Sequence, residues 1–568
     1  MLRLRTSFAY NAKARMKICG WCVLALAVLI CGKLFYMQTF QHEEFASKTE
    51  RTIYNYLKED RLRGQIYDVK GRALAESVRT HSCGISKRYV QNENETIKFL
   101  VDTLGLSKKE LEKKFKGTQK FFFVAKKIKP DVYTNLAPVL RTPLGQGLEV
   151  TPEYERIHPY GSSAIDLLGM ANSKNLGLSG LEQMFNDELS QDISKRRARR
   201  SSRGEVIYDR SLKEEKSVGN LYLTIDMLAQ YYAETALDKA VKDYEPEHGI
   251  ILVQQPTTGR ILAAASYPRK DGQSLPFQFT YEPGSTFKTI AVVSALDAGS
   301  VSIHDAIDME HRSWDVAKGF TIKDKQHKKD YMTIPEIMAV SSNIGAGKIA
   351  LELGAKNLFY YITAFGFGTK TDINFNGESK GHVPPYTEWT KVDTVTKGYG
   401  YGISLTPIQL IGAYSAIANG GWLMQPHLID HIEYPNGKIE KKAKVQKIRQ
   451  VIKPETVATM KKVLEHVVLE GSGTKAKVPG YSVAGKTGTA EKLSKEGGYA
   501  KRRHVVSFCG FTPIEDPRFT ILVILDNPAK YTFGGTAAAP VFKEVAEGLL
   551  AMEGVPMDEP ETVPQKKK

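Results

Sequence analysis

The sequence predicts a multidomain protein with a single N-terminal transmembrane helix, a mixed α+β segment and a C-terminal sheet flanked by helices. Three observations support this fold class. The chain has 568 residues, too many for one domain; it contains one long apolar stretch at residues 18–40; and strand and helix patterns alternate from residue 221 onward. The apolar fraction of 42% and the charged fraction of 25% exclude wholesale disorder and collagen-like repeats.

The N-terminal segment is predicted to be an uncleaved anchor. Residues 1–17 contain several Arg and Lys residues and no acid, so we expect them to stay in the cytoplasm while the chain after residue 40 is exported. Lys33 interrupts the apolar run near one end, where it can reach the interface. A signal peptide would need small residues just past the apolar core, whereas Ala25 and Ala27 lie in its middle. No later stretch is long and apolar enough to span, which indicates a single-pass protein.

Residues 41–215 are mixed and basic, with short strands and helices and no strong repeat. A basic run at residues 195–203 is interpreted as a solvated connector, although it could bind anionic lipid or polymer. From residue 216 the pattern changes to a strand, an amphipathic helix, a buried strand and a hairpin strand, at residues 221–226, 227–241, 249–254 and 261–266. This order predicts a sheet flanked by helices over residues 216–553, followed by a flexible tail at residues 554–568.

Charge and cysteine content limit the possible partners. The formal net charge of +16 suggests nucleic acid, anionic lipid or an acidic polymer as a partner, or simply a solvated basic surface. Five cysteines are too few for a disulfide framework. Cys19 and Cys22 form a C-x-x-C pair without a second pair to complete a zinc site, so we interpret them as apolar residues of the membrane helix.

A turn rich in proline and glycine leads into an apolar helical run, with Ser285 at its start. Positions i and i+3 share a helix face, so Ser285 and Lys288 are expected to point the same way. A serine becomes a good nucleophile when a base takes its proton. A lysine can be that base only when burial or a neighbouring cation lowers its pKa from about 10.4. Ser285 and Lys288 are therefore a candidate nucleophile and base.

Ser-x-x-Lys alone is a weak signal, because Ser472–Lys475 also matches it and is assigned here to a loop. Two further motifs select the first match. Ser341–Asn343 begins 56 residues after Ser285, and Lys486–Thr489 begins 145 residues beyond that. The other Ser-x-Asn, Ser173–Asn175, lies upstream, so order and spacing leave one combination of Ser-x-x-Lys, Ser-x-Asn and Lys-Thr-Gly.

The Ser-x-Asn motif and the lysine of the Lys-Thr-Gly motif are suited to an acyl transfer that proceeds through a serine. Ser341 could relay a proton between Lys288 and a leaving nitrogen. Asn343 could form a hydrogen bond with a substrate amide. Lys486 would add positive potential that keeps Lys288 neutral and attracts a carboxylate.

The remaining third-motif residues fit substrate binding. Gly488 would let a substrate backbone lie against the strand edge, and Thr487 and Thr489 offer hydroxyls to a carboxylate. The backbone N–H groups of Ser285 and Thr489 could form an oxyanion hole. Strict alternation along a strand puts Lys486 and Thr487 on opposite faces, so periodicity does not place both in one cleft.

The three motifs resemble those of penicillin-recognising serine transpeptidases. The likeness extends to four other segments, of which the first two resemble the pedestal of class B penicillin-binding proteins: residues 63–68, 177–182, 399–410 and 534–542. Lys486–Glu491 and Ser507–Pro513 are more similar to the division-septum branch of that family than to its elongation branch.

This resemblance implies a pedestal of the dimerisation type over residues 41–215 and an α/β penicillin-binding transpeptidase domain, an antiparallel sheet flanked by helices, over residues 216–553. It implies a peptidoglycan D,D-transpeptidase of the septum that is acylated by D-Ala-D-Ala stem peptides and inhibited by β-lactams. The implied catalytic residues are Ser285, Lys288, Ser341, Asn343 and Lys486, and the implied substrate-binding residues are Thr487, Gly488 and Thr489.

The same resemblance implies a bacterial inner-membrane protein with its catalytic domain outside the cytoplasm. It implies no cofactor, no metal and no nucleic acid. The expected partners are peptidoglycan, the membrane, a membrane glycan polymerase and other division proteins.

Several other functions stay open at this point. A β-lactamase would need a second base for deacylation and a shorter chain. A bifunctional class A synthase would need a glycosyl-transferring domain, for which Glu59–Asp60 lacks the expected Phe and His. A D,D-carboxypeptidase would differ only in using water as the acceptor. The chain could also be a structural division scaffold or a β-lactam-sensing receptor. Three intact motifs argue against a catalytically idle scaffold, which has no need of them.

Overall fold

The computed structural model describes residues 2–39, 41, 63–172, 175–190, 198–200, 206–208, 218–324, 329–493 and 499–559. Most of the basic run at residues 195–203 and the end of the expected tail, residues 560–568, lie outside the described residues. The chain divides into two compact units. One contains residues 1–59 and 192–216, and the other contains residues 60–191 and 217–568.

The described residues form the following helices: α1 Leu2–Thr39, α2 Glu93–Leu104, α3 Lys108–Lys116, α4 Pro130–Leu136, α5 Ile165–Leu168, α6 Gly180–Met184, α7 Asn186–Leu189, α8 Met227–Tyr244, α9 Leu275–Gln278, α10 Lys288–Asp297, α11 Ile334–Val340, α12 Asn343–Leu353, α13 Ala355–Ala364, α14 Lys391–Gly398, α15 Pro407–Ala418, α16 Pro454–Leu469 and α17 Gly534–Glu553.

The strands are β1 Ile66–Tyr67, β2 Ala73–Ser86, β3 Phe121–Ile128, β4 Leu148–Ile157, β5 Ala198–Arg200, β6 Val206–Tyr208, β7 Asn220–Leu223, β8 His248–Gln254, β9 Ile261–Tyr267, β10 Ile307–Asp308, β11 Ser313–Ala317, β12 Phe320–Lys323, β13 Tyr331–Met332, β14 Trp422–Met424, β15 Ile429–Glu433, β16 Ile439–Glu440, β17 Lys447–Gln450, β18 Ala484–Leu493, β19 Tyr499–Thr512 and β20 Phe519–Asp526.

The first unit contains helix α1 and the antiparallel pair β5–β6. Within α1, Ala14–Thr39 has a mean hydropathy of 2.3, and its large apolar side chains are exposed. A helix that crosses a membrane needs about 20 predominantly apolar residues. This segment is therefore long and apolar enough to cross a membrane, and it overlaps the anchor that the sequence predicts.

A seven-stranded sheet runs through the second unit in the order β16–β15–β7–β1–β2–β3, with β4 paired to β2. β1 pairs in parallel with β7, which places Ile66 opposite Leu221. β7 in turn pairs antiparallel with β15. The sheet therefore includes strands from both sides of the domain boundary expected at residues 215–216, and the two segments are joined by backbone hydrogen bonds.

A buried ion cluster holds the N-terminal part of this unit together. Arg63 and Arg156 both contact the carboxylate of Glu182, with Arg156 Nε donating to Glu182 Oε1 at 2.7 Å. Arg63 Nη1 also donates to the Asn175 carbonyl oxygen at 3.0 Å, and Arg156 Nη1 to the Gly64 carbonyl oxygen at 2.7 Å. The three side chains are almost fully buried. The cluster therefore joins the segments around residues 63 and 182, both of which carry the family resemblance.

The catalytic region is built on a second, five-stranded antiparallel sheet in the order β18–β19–β20–β8–β9. Alternate residues of its central strands face different cores: Val523 packs with α8 and α17, whereas Leu522 packs with α10 and α15. A strand covered on both faces is expected to be continuously apolar, as β20 is. The expected antiparallel sheet flanked by helices is confirmed. The predicted strands and helix at residues 221–266 correspond to β7, α8, β8 and β9.

Candidate active site

Ser285 lies in a 3₁₀ turn, Gly284–Phe287, directly before α10. The sequence predicts that the helix begins at Ser285, whereas regular α-helix begins at Lys288. The tight turn requires glycine at position 284, because its φ is +56° and an added Cβ would lie 2.9 Å from the Thr489 carbonyl oxygen. Gly400 packs on the other side, where an added Cβ would meet the Gly284 oxygen at 2.2 Å. The turn therefore packs closely against β18.

Lys288 is the first residue of α10, and its side chain is fully buried. Its Nζ donates to the backbone oxygen of Ser341 and to Ser341 Oγ, the latter at 3.2 Å. Burial lowers the pKa of Lys288 to about 7, although the negative charge of Asp324 opposes that shift. Lys288 is thus close to the protonation state that a general base needs near neutral pH.

Ser341 and Asn343 lie where α11 ends and α12 begins. Ser341 is in the left-handed region with φ 60°, and Ser342 caps α12 by accepting from Gly345 N at 2.9 Å. Asp324, just after β12, accepts from Asn343 N at 3.0 Å and from the Ser342 hydroxyl. An acid at a helix N-terminus is favourable, so Asp324 holds the Ser-x-Asn motif in place.

Lys486 is in β18 and is fully buried. Its Nζ donates to Ser341 Oγ at 3.0 Å, and to the backbone oxygen and Oγ1 of Thr487, both at 3.2 Å. The Lys486 side chain thus bends back to the hydroxyl of Thr487. The two residues are neighbours on a strand, whose side chains alternate between faces, but this contact brings their polar groups together.

Burial lowers the pKa of Lys486 well below its usual value, and the positive charge of Lys288 adds to that shift. The sequence suggests the reverse influence, in which the charge of Lys486 keeps Lys288 neutral. Two ammonium groups that share the Ser341 hydroxyl repel each other. Protonation of one lysine therefore disfavours protonation of the other.

A cavity of about 650 Å³ opens beside these groups. It is lined by five of the predicted site residues, Ser285, Ser341, Asn343, Thr487 and Thr489. The other lining residues, which include both ends of the second Ser-x-x-Lys match, are Lys323, Asp324, Val340, Ser342, Gly471, Ser472, Thr474, Lys475, Glu491, Phe533, Gly534, Gly535 and Thr536. Lys288 and Lys486 are fully buried and do not line the cavity, but both donate to Ser341 Oγ.

Gly488 does not line the cavity. An added Cβ at this position would lie 2.2 Å from Ser507 Oγ and 2.9 Å from Thr286 Cγ2. The requirement for glycine here therefore comes from packing against β19 and the Ser285 turn. β18 is nevertheless the edge strand of its sheet among the described residues.

Two cavity residues have roles that the sequence analysis misses. Asp324 has no recognisable spacing from the motif that it holds, because its contact depends on how the β11–β12 hairpin folds back. Ser472 belongs to the second Ser-x-x-Lys match, and its Oγ lies 2.7 Å from Thr487 Oγ1. That match could have drawn attention to Ser472, but only as a competing nucleophile.

One group of acidic and histidine side chains in the described part of the chain has metal-ligand spacing: Glu247, His248 and Asp526. Lys492 Nζ donates to both carboxylate oxygens of Asp526, at 2.7 and 2.8 Å. An ammonium group thus already occupies the position where a cation would bind. The group lies apart from the residues that line the cavity.

Comparisons with known proteins agree with this architecture. Residues 249–547 match the family model for the penicillin-binding protein transpeptidase domain, and residues 58–223 match that for the penicillin-binding protein dimerisation domain. The chain belongs to the penicillin-binding proteins, and the two domains together place it among those of class B.

Two relatives are similar over nearly the whole chain. Stage V sporulation protein D from Bacillus subtilis is 33% identical over 550 residues, which cover 93% of this chain and 84% of the relative. Peptidoglycan D,D-transpeptidase FtsI from Escherichia coli K12 is 28% identical, covering 95% and 92%.

Solved structures show the same fold. A peptidoglycan synthetase from Bifidobacterium adolescentis has a TM-score of 0.68 at 26% identity, covering 89% of this chain and 98% of that one. Penicillin-binding protein 2X from Streptococcus thermophilus has a TM-score of 0.76 at 23% identity, covering 87% and 80%, which shows the fold alone.

Proposed function

We propose that this chain is a peptidoglycan D,D-transpeptidase of septal wall synthesis, which cross-links stem peptides through an acyl-enzyme on Ser285 and is acylated by β-lactams. One observation carries the proposal. Ser341 Oγ lies 3.2 Å from Lys288 Nζ and 3.0 Å from Lys486 Nζ, at the wall of a cavity that Ser285 also lines. All three motifs therefore meet at one hydroxyl.

In the proposed first step, the Ser285 oxygen attacks the carbonyl carbon between the two D-alanines. Its proton passes to neutral Lys288, and the backbone N–H groups of Ser285 and Thr489 stabilise the oxyanion. Collapse of the tetrahedral intermediate breaks the C–N bond. The leaving amine of the terminal D-alanine takes the proton from Lys288 through Ser341, whose hydroxyl contacts both lysines.

In the second step, the amine of another stem peptide attacks the acyl-enzyme. It gives its proton back through Ser341 and Lys288 to the Ser285 oxygen as the ester bond breaks. Water in place of that amine would make the enzyme a carboxypeptidase. The edge position of β18 supports binding of the donor peptide as an added strand, with Asn343 contacting its amide.

Substrate binding also influences which of the two lysines is charged. A carboxylate beside Thr487 and Thr489 favours the charged form of Lys486, because an opposite charge raises the pKa of an ammonium group. Repulsion between the two ammonium groups then favours neutral Lys288. The proposed base is thus free of its proton when a carboxylate-bearing substrate is bound.

The test is labelling of the full chain with a fluorescent penicillin. We expect one labelled site in the wild-type protein and no labelling of Ser285→Ala. Ser472→Ala is the matched control, since it changes the other Ser-x-x-Lys serine, and it should still be labelled. Labelling that persists in Ser285→Ala but is lost in Ser472→Ala would reject Ser285 as the nucleophile.

The proposal includes the orientation of the anchor. Basic residues at positions 3–17, before the apolar stretch of α1, support an N-terminus in the cytoplasm and a catalytic region outside it. A reporter enzyme that is active only after export, fused after Lys568, should be active. Activity at that position of a reporter restricted to the cytoplasm would reject this orientation.

We further propose that a membrane glycan polymerase and other division proteins dock on the anchor and the pedestal region. No described residue of the pedestal lines the cavity, yet the pedestal forms about a third of the chain. Replacing the anchor and residues 41–60 with an unrelated span should leave β-lactam acylation intact and abolish recruitment to midcell. If recruitment survives the exchange, the docking hypothesis is rejected and the pedestal is interpreted as a spacer.

A further inference from the structure

Ser472 is placed in the cavity by its backbone. Its N–H donates to the Ala339 oxygen at 2.9 Å, and the following Gly473 N–H donates to the Val467 oxygen at 3.0 Å. On the opposite side, an added Cβ at Gly535 would lie 2.4 Å from the Ser472 carbonyl oxygen. The loop is thus held between the end of α16, the end of α11 and the start of α17. These backbone contacts do not involve the Ser472 side chain.

The Ser472 hydroxyl contacts a residue with a proposed role in binding. Ser472 Oγ lies 2.7 Å from Thr487 Oγ1, and both residues line the cavity. Thr487 Oγ1 also accepts from Lys486 Nζ at 3.2 Å. A hydroxyl has one hydrogen to donate and two lone pairs to accept with. If Ser472 donates, both lone pairs of Thr487 are occupied and its hydrogen is available to a group in the cavity.

We infer that Ser472 is a positioning residue, which donates its hydroxyl hydrogen to Thr487 and so directs the Thr487 hydrogen toward the substrate carboxylate. This inference rests on the proposed function, because the carboxylate is that of a D-Ala-D-Ala end or of a β-lactam. A hydrogen bond to a carboxylate is stronger than one between two hydroxyls, so a bound ligand favours this direction of donation. Each donor in such a chain also polarises the next.

The exposure of Lys475 argues against Ser472 as a second nucleophile, although Ser472 starts a Ser-x-x-Lys sequence. Lys475 is exposed, whereas Lys288 is fully buried, and this burial lowers the pKa of Lys288. Burial is the main cause that makes a lysine a base near neutral pH. Ser472 therefore acts through Thr487.

The test compares two ligands that differ in one group, benzylpenicillin and its carboxyl methyl ester. The second-order rate constant of Ser285 acylation is measured for the full-length wild-type chain, Ser472→Ala, Ser472→Thr and the control Ser300→Ala, which lies outside the cavity lining. We expect Ser472→Ala to lower the rate with benzylpenicillin about five-fold, the scale of one hydrogen bond, and that with the ester less than about two-fold. Ser472→Thr keeps the hydroxyl and should restore the preference for the carboxylate.

Equal losses with both ligands would show that Ser472 only supports the loop, and would overturn the inference. An unchanged rate with benzylpenicillin, or a Ser472→Thr protein as slow as Ser472→Ala, would overturn it as well. Failure of the proposed function looks different, since the wild-type protein would then not be acylated at Ser285 by either ligand.

Discussion

Two clusters of buried charge occupy the second unit, and they are built in opposite ways. In the cluster around Glu182, each arginine contacts the carboxylate, and Nη1 of each arginine also donates to a backbone carbonyl oxygen. In the cluster around Ser341, two lysines are equally buried, but their hydrogen bonds go to hydroxyl and carbonyl oxygens. Buried charges in contact with opposite charges fix geometry, whereas buried cations without such contacts acquire shifted pKa values and reactivity.

The two clusters also differ in their surroundings. The residues of the Glu182 cluster join distant segments and do not line the cavity. The Ser341 cluster also joins distant segments, but it lies at the wall of a cavity large enough for a peptide. We therefore expect substitutions in the first cluster to change stability and those in the second to change chemistry.

The largest expected effect is on stability. Glu182→Gln removes the only carboxylate described in contact with Arg63 and Arg156 and should lower the free energy of unfolding by about 3–5 kcal/mol. Urea unfolding of the full chain in detergent measures this. Glu155→Gln is a matched control, because Glu155 forms a partly exposed pair with Lys127 and should lose less than about 1 kcal/mol. Equal losses in the two variants would contradict the distinction.

The second expected effect is on chemistry. Lys288→Met and Lys288→Arg should each slow β-lactam acylation about 10²-fold or more, because neither side chain can accept the Ser285 proton. The rate constant of acylation measures this at a temperature where both variants are folded. Glu182→Gln, tested under the same conditions, should acylate within about two-fold of wild type. Near-normal acylation by Lys288→Arg would reject Lys288 as the base.

The pH dependence of the same variants provides a separate test. The pKa of Lys288 is about 7 in the folded protein and 10.5 ordinarily. Between these values the unfolded chain binds the proton and the folded chain does not, so wild-type stability should rise with pH by up to about 1.4 kcal/mol per unit. The stability advantage of Lys288→Met should thus be largest below pH 7 and shrink toward pH 10.5. A constant advantage would contradict a lowered Lys288 pKa.

The sequence predicts which residues the site contains better than it predicts how the fold brings them together. Acyl transfer needs particular residue types, so the order of three motifs selects Ser285, Lys288, Ser341 and Lys486 as candidates before any fold is known. Periodicity separates Lys486 from Thr487, and only the structure shows the lysine side chain turning back to the Thr487 hydroxyl. α10 begins at Lys288, three residues later than the sequence predicts, because the 3₁₀ turn that contains Ser285 packs against β18.

Other features depend on contacts between distant segments. Asp324 has no spacing signal, and the Ser-x-x-Lys spacing of Ser472 does not indicate its contact with Thr487. Each of the two residues contacts a motif that the fold, and not the local sequence, brings to it. The shared sheet is similar: β1 and β7 are short strands, and no local pattern pairs a residue near 66 with one near 221. The local sequence indicates helix and strand periodicity, but it does not indicate which strands pair.

A smaller effect should come from Asp324, whose negative charge opposes the lowered pKa of Lys288. Asp324→Asn keeps an oxygen that can accept from Asn343 N but removes the charge. The rise of acylation with pH should therefore begin lower, by less than about one unit. Acylation rates over a pH series measure this. Ser342→Ala weakens the same helix cap without changing charge and should leave the profile in place; an equal shift in both variants would contradict the electrostatic role.

The smallest effect tests whether burial, rather than pairing, gives an ion pair its value. Lys239 and Glu544 connect α8 to α17 at 2.8 Å, nearly the distance from Arg156 to Glu182, but their side chains are 62% and 41% exposed. Water and salt screen such a pair, and holding two long side chains costs entropy. A double-mutant cycle with Lys239→Ala and Glu544→Ala should give a coupling below about 1 kcal/mol that decreases with added salt. A coupling as large as the loss in Glu182→Gln would mean that contact distance, and not burial, separates the stabilising cluster from the surface.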